Sequence, residues 1–173
     1  MKAVISLSAV AIGLVLQVAL ARYTVGGSWV FDFVLVGVVF AALAAGPAAG
    51  LWSGTVGGLL QDVLTGEVAG VGGLAKTLVG FLAGLIGTQF VMTRPYARAL
   101  VVAVATVVHR FLMMALVALI DQRWPGVPWG AILAEVLINT AVALVVFYGV
   151  AAGPGLVARR RANRRSGLSR RQW

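Results

Sequence analysis

Six apolar stretches joined by short links dominate this chain, at residues 3–21, 29–45, 48–64, 71–92, 99–120 and 130–151. Each approaches the roughly 20 residues that a helix needs to cross a hydrocarbon layer about 30 Å thick. Backbone in lipid finds no water for its amides and carbonyls, so each stretch is expected to satisfy itself as an α-helix. The glycine-rich third stretch carries the weakest signal. Composition points the same way: 61% of the 173 residues are apolar and 11% charged, against about 45–50% and 25% in soluble domains. A soluble fold of this length has nowhere to hide so much apolar surface. The expected fold is therefore an all-α integral membrane protein of six transmembrane helices, with residues 1–157 as the membrane domain and 158–173 as a basic cytoplasmic tail.

The sequence lacks cysteine, which removes disulfide frameworks, thiolate metal sites and cysteine nucleophiles from consideration. Lys2, an apolar run and Ala19-Leu20-Ala21 imitate a secretory signal. The run is longer than a signal core, and its loss would leave an odd number of spans, so the segment is expected to stay. The net charge of +9 would suit a nucleic-acid binder, yet seven of the fourteen basic residues are arginines after Ala158. This is a basic tail on an apolar body, and no nucleic-acid partner is expected.

Orientation follows from where the basic residues fall. Lys2, the Arg94–Arg98 turn and the tail share one side, while Arg22 and Arg123 on the other side lie beside Asp62, Glu67 and Asp121. Both termini are expected in the cytoplasm. Tyr23, Trp29, Trp124 and Trp129 then fall at the outer boundary, with Tyr96 and Tyr148 at the inner one. The tail arginines Arg159, Arg160, Arg161, Arg164 and Arg165 would hold anionic lipid headgroups. The tail itself lacks apolar periodicity and is expected to be disordered in isolation.

Polar groups inside the spans are costly in lipid and usually have a purpose. At about 1.5 Å per residue from the outer end of each span, Asp32 lies roughly 5 Å deep, Lys76 and Glu135 roughly 9 Å, and Asn139, His109 and Arg110 roughly 15 Å. Asp62 stands at the outer mouth of the third span. The balance of two cations and two acids, with Asp62 as a third at the rim, allows mutual pairing around an outward pocket formed by Asp32, Asp62, Lys76, Arg110, Glu135 and Asn139. Lys76 and Asp32 are also near enough to the boundary to snorkel. Arg110 is too deep for that, and Glu135 is its expected partner. His109 is read as a packed, hydrogen-bonded histidine before a ligand or proton relay. Glu135 and Asn139, four residues apart, share a helix face.

Gly46, Gly50, Gly54 and Gly58 recur every fourth residue, with Pro47 at a first helical position. Together with Gly80 and Gly84 on the fourth span they form small-residue ridges that let helices approach closely. The ridge serves either packing within the bundle or a partner subunit.

The most distinctive text runs Gly50-Leu51-Trp52-Ser53-Gly54, then Gly57-Gly58-Leu59-Leu60-Gln61-Asp62-Val63-Leu64-Thr65-Gly66, then Gly70 and Gly73-Leu74-Ala75-Lys76-Thr77-Leu78-Val79-Gly80. It resembles the rod shape-determining protein MreD family. There a glycine-rich third span ends in a Gly-Leu-Leu-x-Asp-like segment before a small loop and a Gly-Leu-rich fourth span. Asp62 and its neighbouring glycines match that motif, whereas Lys76, Arg110 and Glu135 come from depth alone. The resemblance implies a bacterial inner-membrane subunit of the elongation machinery, with MreC as partner. RodA, a class B penicillin-binding protein and the actin-like MreB would be indirect partners. The family is also similar to the substrate-binding subunit of energy-coupling-factor vitamin transporters, which implies an outward pocket near the link between spans three and four.

Three classes of function compete. A non-enzymatic scaffold supporting peptidoglycan synthesis and cell shape fits the resemblance. A vitamin-binding transporter subunit would need convergent polar groups in a pocket. An intramembrane enzyme would need Asp32 and Asp62 to share a proton, but neither lies in a Gly-x-Gly-Asp motif, and no Gly-x-Ser-x-Gly elbow is present. No catalytic, metal or cofactor-binding set is read from the sequence.

Overall fold

The most apolar helix is the hub of the bundle. Residues 33–45 read Phe-Val-Leu-Val-Gly-Val-Val-Phe-Ala-Ala-Leu-Ala-Ala, a β-branched run that in water would suit a strand; here it is a helix buried nearly all round. A helix apolar on every side belongs inside a bundle or in lipid, and this one touches all five others. The computed structural model describes residues 2–19, 31–66, 68–90, 94–123 and 126–169, with 2–7 and 153–169 as backbone alone. The order is α1 (Lys2–Ala19), α2 (Phe33–Ala45), α3 (Pro47–Thr65), α4 (Val71–Gln89), α5 (Pro95–Asp121) and α6 (Trp129–Ser169), with no strand among the described residues.

Three of these helices are long and apolar enough to cross a membrane: Val71–Gln89, Pro95–Asp121 and Trp129–Ala152. Ser8–Ala19 and Phe33–Ala45 are shorter apolar helices. The 13 residues of α2 rise only about 20 Å. In α3, glycines and the polar Ser53, Thr55, Gln61 and Asp62 dilute the apolar character. Chain boundaries fall within a few residues of those expected, with two differences. Helix α2 starts at Phe33 and not near residue 29, so Asp32 is its N-cap and not an interior residue. Helix α6 continues to Ser169, where an irregular tail is expected from residue 158; alanine, arginine and leucine are good helix formers and extend it. Arg22, Tyr23, Trp29, Glu67 and Trp124 lie outside the described residues.

One apolar core joins α2, α4, α5 and α6 around Leu35, Val39, Val79, Val102, Ala143 and Phe147, with Phe40 stacked on Phe147 at 5.5 Å between ring centroids. A smaller cluster of Val10, Val34 and Val38 fixes α1 on α2. The link between α2 and α3 is the single residue Gly46, at φ 95°. That left-handed backbone strains any residue with a Cβ, and Pro47 then starts α3 where its missing N–H costs nothing.

The closest helix pair is α3 and α4. A Cβ on Gly50 would strike the Gly80 carbonyl, one on Gly54 the Lys76 carbonyl, one on Gly58 the Gly73 Cα, and one on Gly84 the Pro47 Cα. The expected ridge therefore runs from Gly50 to Gly58 and packs inside the bundle. Gly46 makes no such approach and acts through its backbone angle. Thr55 and Thr77 add a hydroxyl–hydroxyl hydrogen bond of 2.8 Å across the seam.

Candidate functional site: a buried ion-pair network and a helix cap supplied in trans

The glycine seam brings the α4 backbone against α3 at the turn that carries Lys76, which turns that side chain toward α2. Its Nζ lies 2.7 Å from Asp32 Oδ2, with side-chain exposures of 3% and 6%. Snorkelling is thus replaced by pairing. Asp32 does two jobs. Its Oδ1 accepts a hydrogen bond from the Leu35 amide at 2.9 Å, the standard role of an acidic N-cap. Its other oxygen holds the lysine. The Asp32 amide in turn donates to Asn139 Oδ1 at 3.0 Å, tying the start of α2 to α6.

His109 closes the group from α5, its Nε2 lying 3.2 Å from Lys76 Nζ. An ammonium has only donors, so Nε2 accepts, and in a neutral ring the proton then sits on Nδ1. That nitrogen lies 4.0 Å from Asp32 Oδ2. One turn earlier on α5, Thr106 accepts from Asn139 Nδ2 at 3.3 Å and donates to the Val102 carbonyl at 2.9 Å. Arg110 reaches Glu135 on α6 at 2.8 Å, the arginine side chain 25% exposed and the glutamate 4%.

Asp32, His109 and Glu135 place ligand-type atoms within 4.8 Å of one another, which joins both ion pairs into one cluster. The same triad has the donor types of a cation site. The Lys76 ammonium already stands beside Asp32 and His109, and two acids with two cations sum to zero. A divalent ion would add uncompensated positive charge to a dry interior, which is expensive. The charges balance, each facing its opposite, and four helices are held in register, while the buried His109 Nδ1 has no hydrogen-bond partner among the described residues. The open cavities of about 330 and 100 Å³ on the bundle are walled by other, mainly apolar residues.

Of the six residues expected to share a pocket, Asp32, Lys76, Arg110, Glu135 and Asn139 come together. Asp62 is engaged elsewhere. The N-cap of α4 is Gly70, which has no side chain to cap the helix. Asp62, near the end of α3, supplies the missing group: its Oδ2 accepts from the Gly70 amide at 2.9 Å and the Gly73 amide at 3.1 Å. Those are the first and fourth residues of the cap, the two donors that a capping box satisfies within one helix. Its Oδ1 packs against Gly72, where a Cβ would collide with it. Asp32 and Asp62 thus serve different partners.

Thr106 and Gln17 are not singled out by the sequence reading. Gln17, 1% exposed, donates to the Phe31 carbonyl at 3.1 Å and accepts from the Phe33 amide at 3.0 Å, clasping α1 to the start of α2. A lone amide in an apolar span is the available signal for Gln17. Thr106, three residues before His109, has no comparable mark, since threonines in apolar helices commonly bond their own backbone. The side chains of Arg159, Arg160, Arg161, Arg164 and Arg165 lie outside the described residues.

The glycine seam ending in a carboxylate that caps the next helix is the physical content of the motif at residues 50–80. A family model described as rod shape-determining protein MreD matches residues 1–150. The chain belongs to the MreD family. The match takes in α1 to α5 and the apolar part of α6, leaving the basic end of α6 beyond it. Comparison with curated proteins and with solved structures returns no match. Membership in the MreD family makes this a membrane protein with a role in rod shape determination, in a family known for structure and not for catalysis.

Proposed function

We propose that this MreD-family chain is a non-enzymatic scaffold subunit of the bacterial cell-wall elongation complex, binding MreC and supporting peptidoglycan synthesis. RodA, a class B penicillin-binding protein and MreB are reached indirectly. The observation that carries this reading is the family match over residues 1–150. The site geometry supports it. The buried charges are spent on holding α2, α4, α5 and α6 together, which makes a rigid body, and rigidity suits a part that positions others. In this reading six helices cross the inner membrane with both termini in the cytoplasm, an orientation that the arginine distribution supports. The shorter α2 and the polar α3 are accommodated because other helices shield them.

The test is affinity purification of the tagged full-length chain from bacterial membranes in mild detergent, with mass spectrometry of the membrane proteins retained. MreC is expected at near-stoichiometric yield. Recovery of the chain without MreC, under conditions that keep other inner-membrane complexes whole, would overturn the scaffold assignment.

A further inference from the structure

Helix α2 is ringed by α1, α3, α4, α5 and α6, but the ring is open. Among the described residues α1 and α6 do not touch. Between them lies a groove of about 330 Å³, floored by α2 from Phe33 to Phe40 and walled by α1 from Ser8 to Leu16 and α6 from Val142 to Val150. Ser8 is the single polar residue among those that line it. Ile12 on one wall and Val150 on the other are more than half exposed.

The groove has a direction. It starts below the Asp32–Asn139 contact and runs toward the end of the bundle where both termini lie, since Ala9 packs on Gly37 and Phe40 on Phe147. At that end α1 continues back to Lys2, about 9 Å beyond Ser8, and α6 continues to Arg159, Arg160 and Arg161, about 13–17 Å beyond Val150. The apolar trough thus runs toward the two helix ends that carry these basic residues. A single hydrocarbon chain matches the apolar lining, and the basic residues that the sequence carries at these two helix ends match an anionic headgroup.

We propose that this groove is a binding site for an anionic phospholipid, one acyl chain lying between α1 and α6 and the phosphate at the end where these helices carry Lys2 and Arg159–Arg161. The lipid then completes the ring around α2. The polybasic end does more than attract a charged surface: it orients one lipid whose chain is gripped along its length.

The test uses the full-length chain in bilayers of equal phosphatidylglycerol and phosphatidylcholine, extracted gently, with bound lipid counted by native mass spectrometry. The unmodified chain should retain one phosphatidylglycerol at least fivefold in excess over phosphatidylcholine. Val146→Trp, which fills the groove from α6, should lower that retention at least fivefold, and Ile12→Phe does the same from α1 should the first variant fold poorly. The triple change R159Q/R160Q/R161Q should keep a bound lipid while losing the preference for phosphatidylglycerol. Undiminished retention in a well-folded groove-filling variant would overturn the proposal, as would a preference that survives the triple change. A photocrosslinker at Val146 that captures a protein helix in native membranes, and not lipid, would also overturn it.

Discussion

Asp62 lies in the loop-proximal turn of α3, yet its hydrogen bonds serve α4. Replacing it with alanine removes acceptors from two amides at once, and a lost cap costs about 1 kcal/mol. Asp62→Asn keeps an acceptor oxygen. Detergent thermal unfolding should therefore rank the parent above Asp62→Asn, and that above Asp62→Ala. Equal losses in both variants would mean that the charge and not the cap is what matters. The second residue-scale prediction concerns Arg110 and Glu135. Arg110→Leu and Glu135→Leu should each destabilise, and the double change should recover part of the loss, because an orphaned buried charge costs more than an absent pair. The coupling should be about 1 kcal/mol, typical of polar contacts within membranes; strict additivity in the cycle would show that the pair does not form in solution. At this scale the sequence is legible where chemistry is rare. A charge in an apolar span announces itself by its cost, which is why Lys76, Arg110 and Glu135 stand out. Its partner is less legible, because pairing depends on helix rotation. That is why Asp32, placed by hydropathy about 5 Å inside its span and near enough to the boundary to snorkel, turns out to be both an N-cap and the lysine's counter-ion.

The elements tell a related story about spacing. Four-residue glycine periodicity predicts close approach, and the α3–α4 seam delivers it, but periodicity alone does not say whether the neighbour belongs to the same chain. The backbone distances decide, since a Cβ on Gly54 would lie 2.8 Å from the Thr77 Cα and closer still to the Lys76 carbonyl. Gly54→Ala should thus cost about 1–3 kcal/mol through forced separation of the helices. Gly149→Ala, where an added Cβ meets nothing, should leave the unfolding temperature unchanged or raise it slightly through helix propensity, and serves as the control. Equal effects at the two positions would remove the seam from the account. The length of α6 was not readable by hydropathy, because a polar helix past the membrane boundary leaves no apolar trace for such a measure to follow.

For the molecule as a whole, class and family are legible from composition and from the text of residues 50–80, while arrangement is not. No pattern in the sequence says that α2 is central or that α1 and α6 leave a gap, because both follow from which apolar faces find each other. The topological prediction is that reporters fused after Trp173 and in the Arg94–Arg98 turn report the cytoplasm, and that one inserted at Gly66 reports the outside; the reverse pattern would invert the orientation assigned to the groove. The buried cluster also bears on how the chain is made. Asp32, Lys76, Arg110 and Glu135 sit one each on α2, α4, α5 and α6, and both ion pairs join different helices. Synthesis delivers Asp32 before Lys76 and Arg110 before Glu135, so on the proposed six-span topology each early charge enters the bilayer with its counterpart still unmade. A lone charge mid-helix costs about 2.5–3.5 kcal/mol at insertion. Until α6 arrives, the nascent protein carries an unmatched arginine in lipid, a mark by which membrane proteases would tell an unfinished copy from a finished one. A chain ending at Gln122 should accumulate poorly in cells, and R110L in that shortened chain should restore its abundance several-fold.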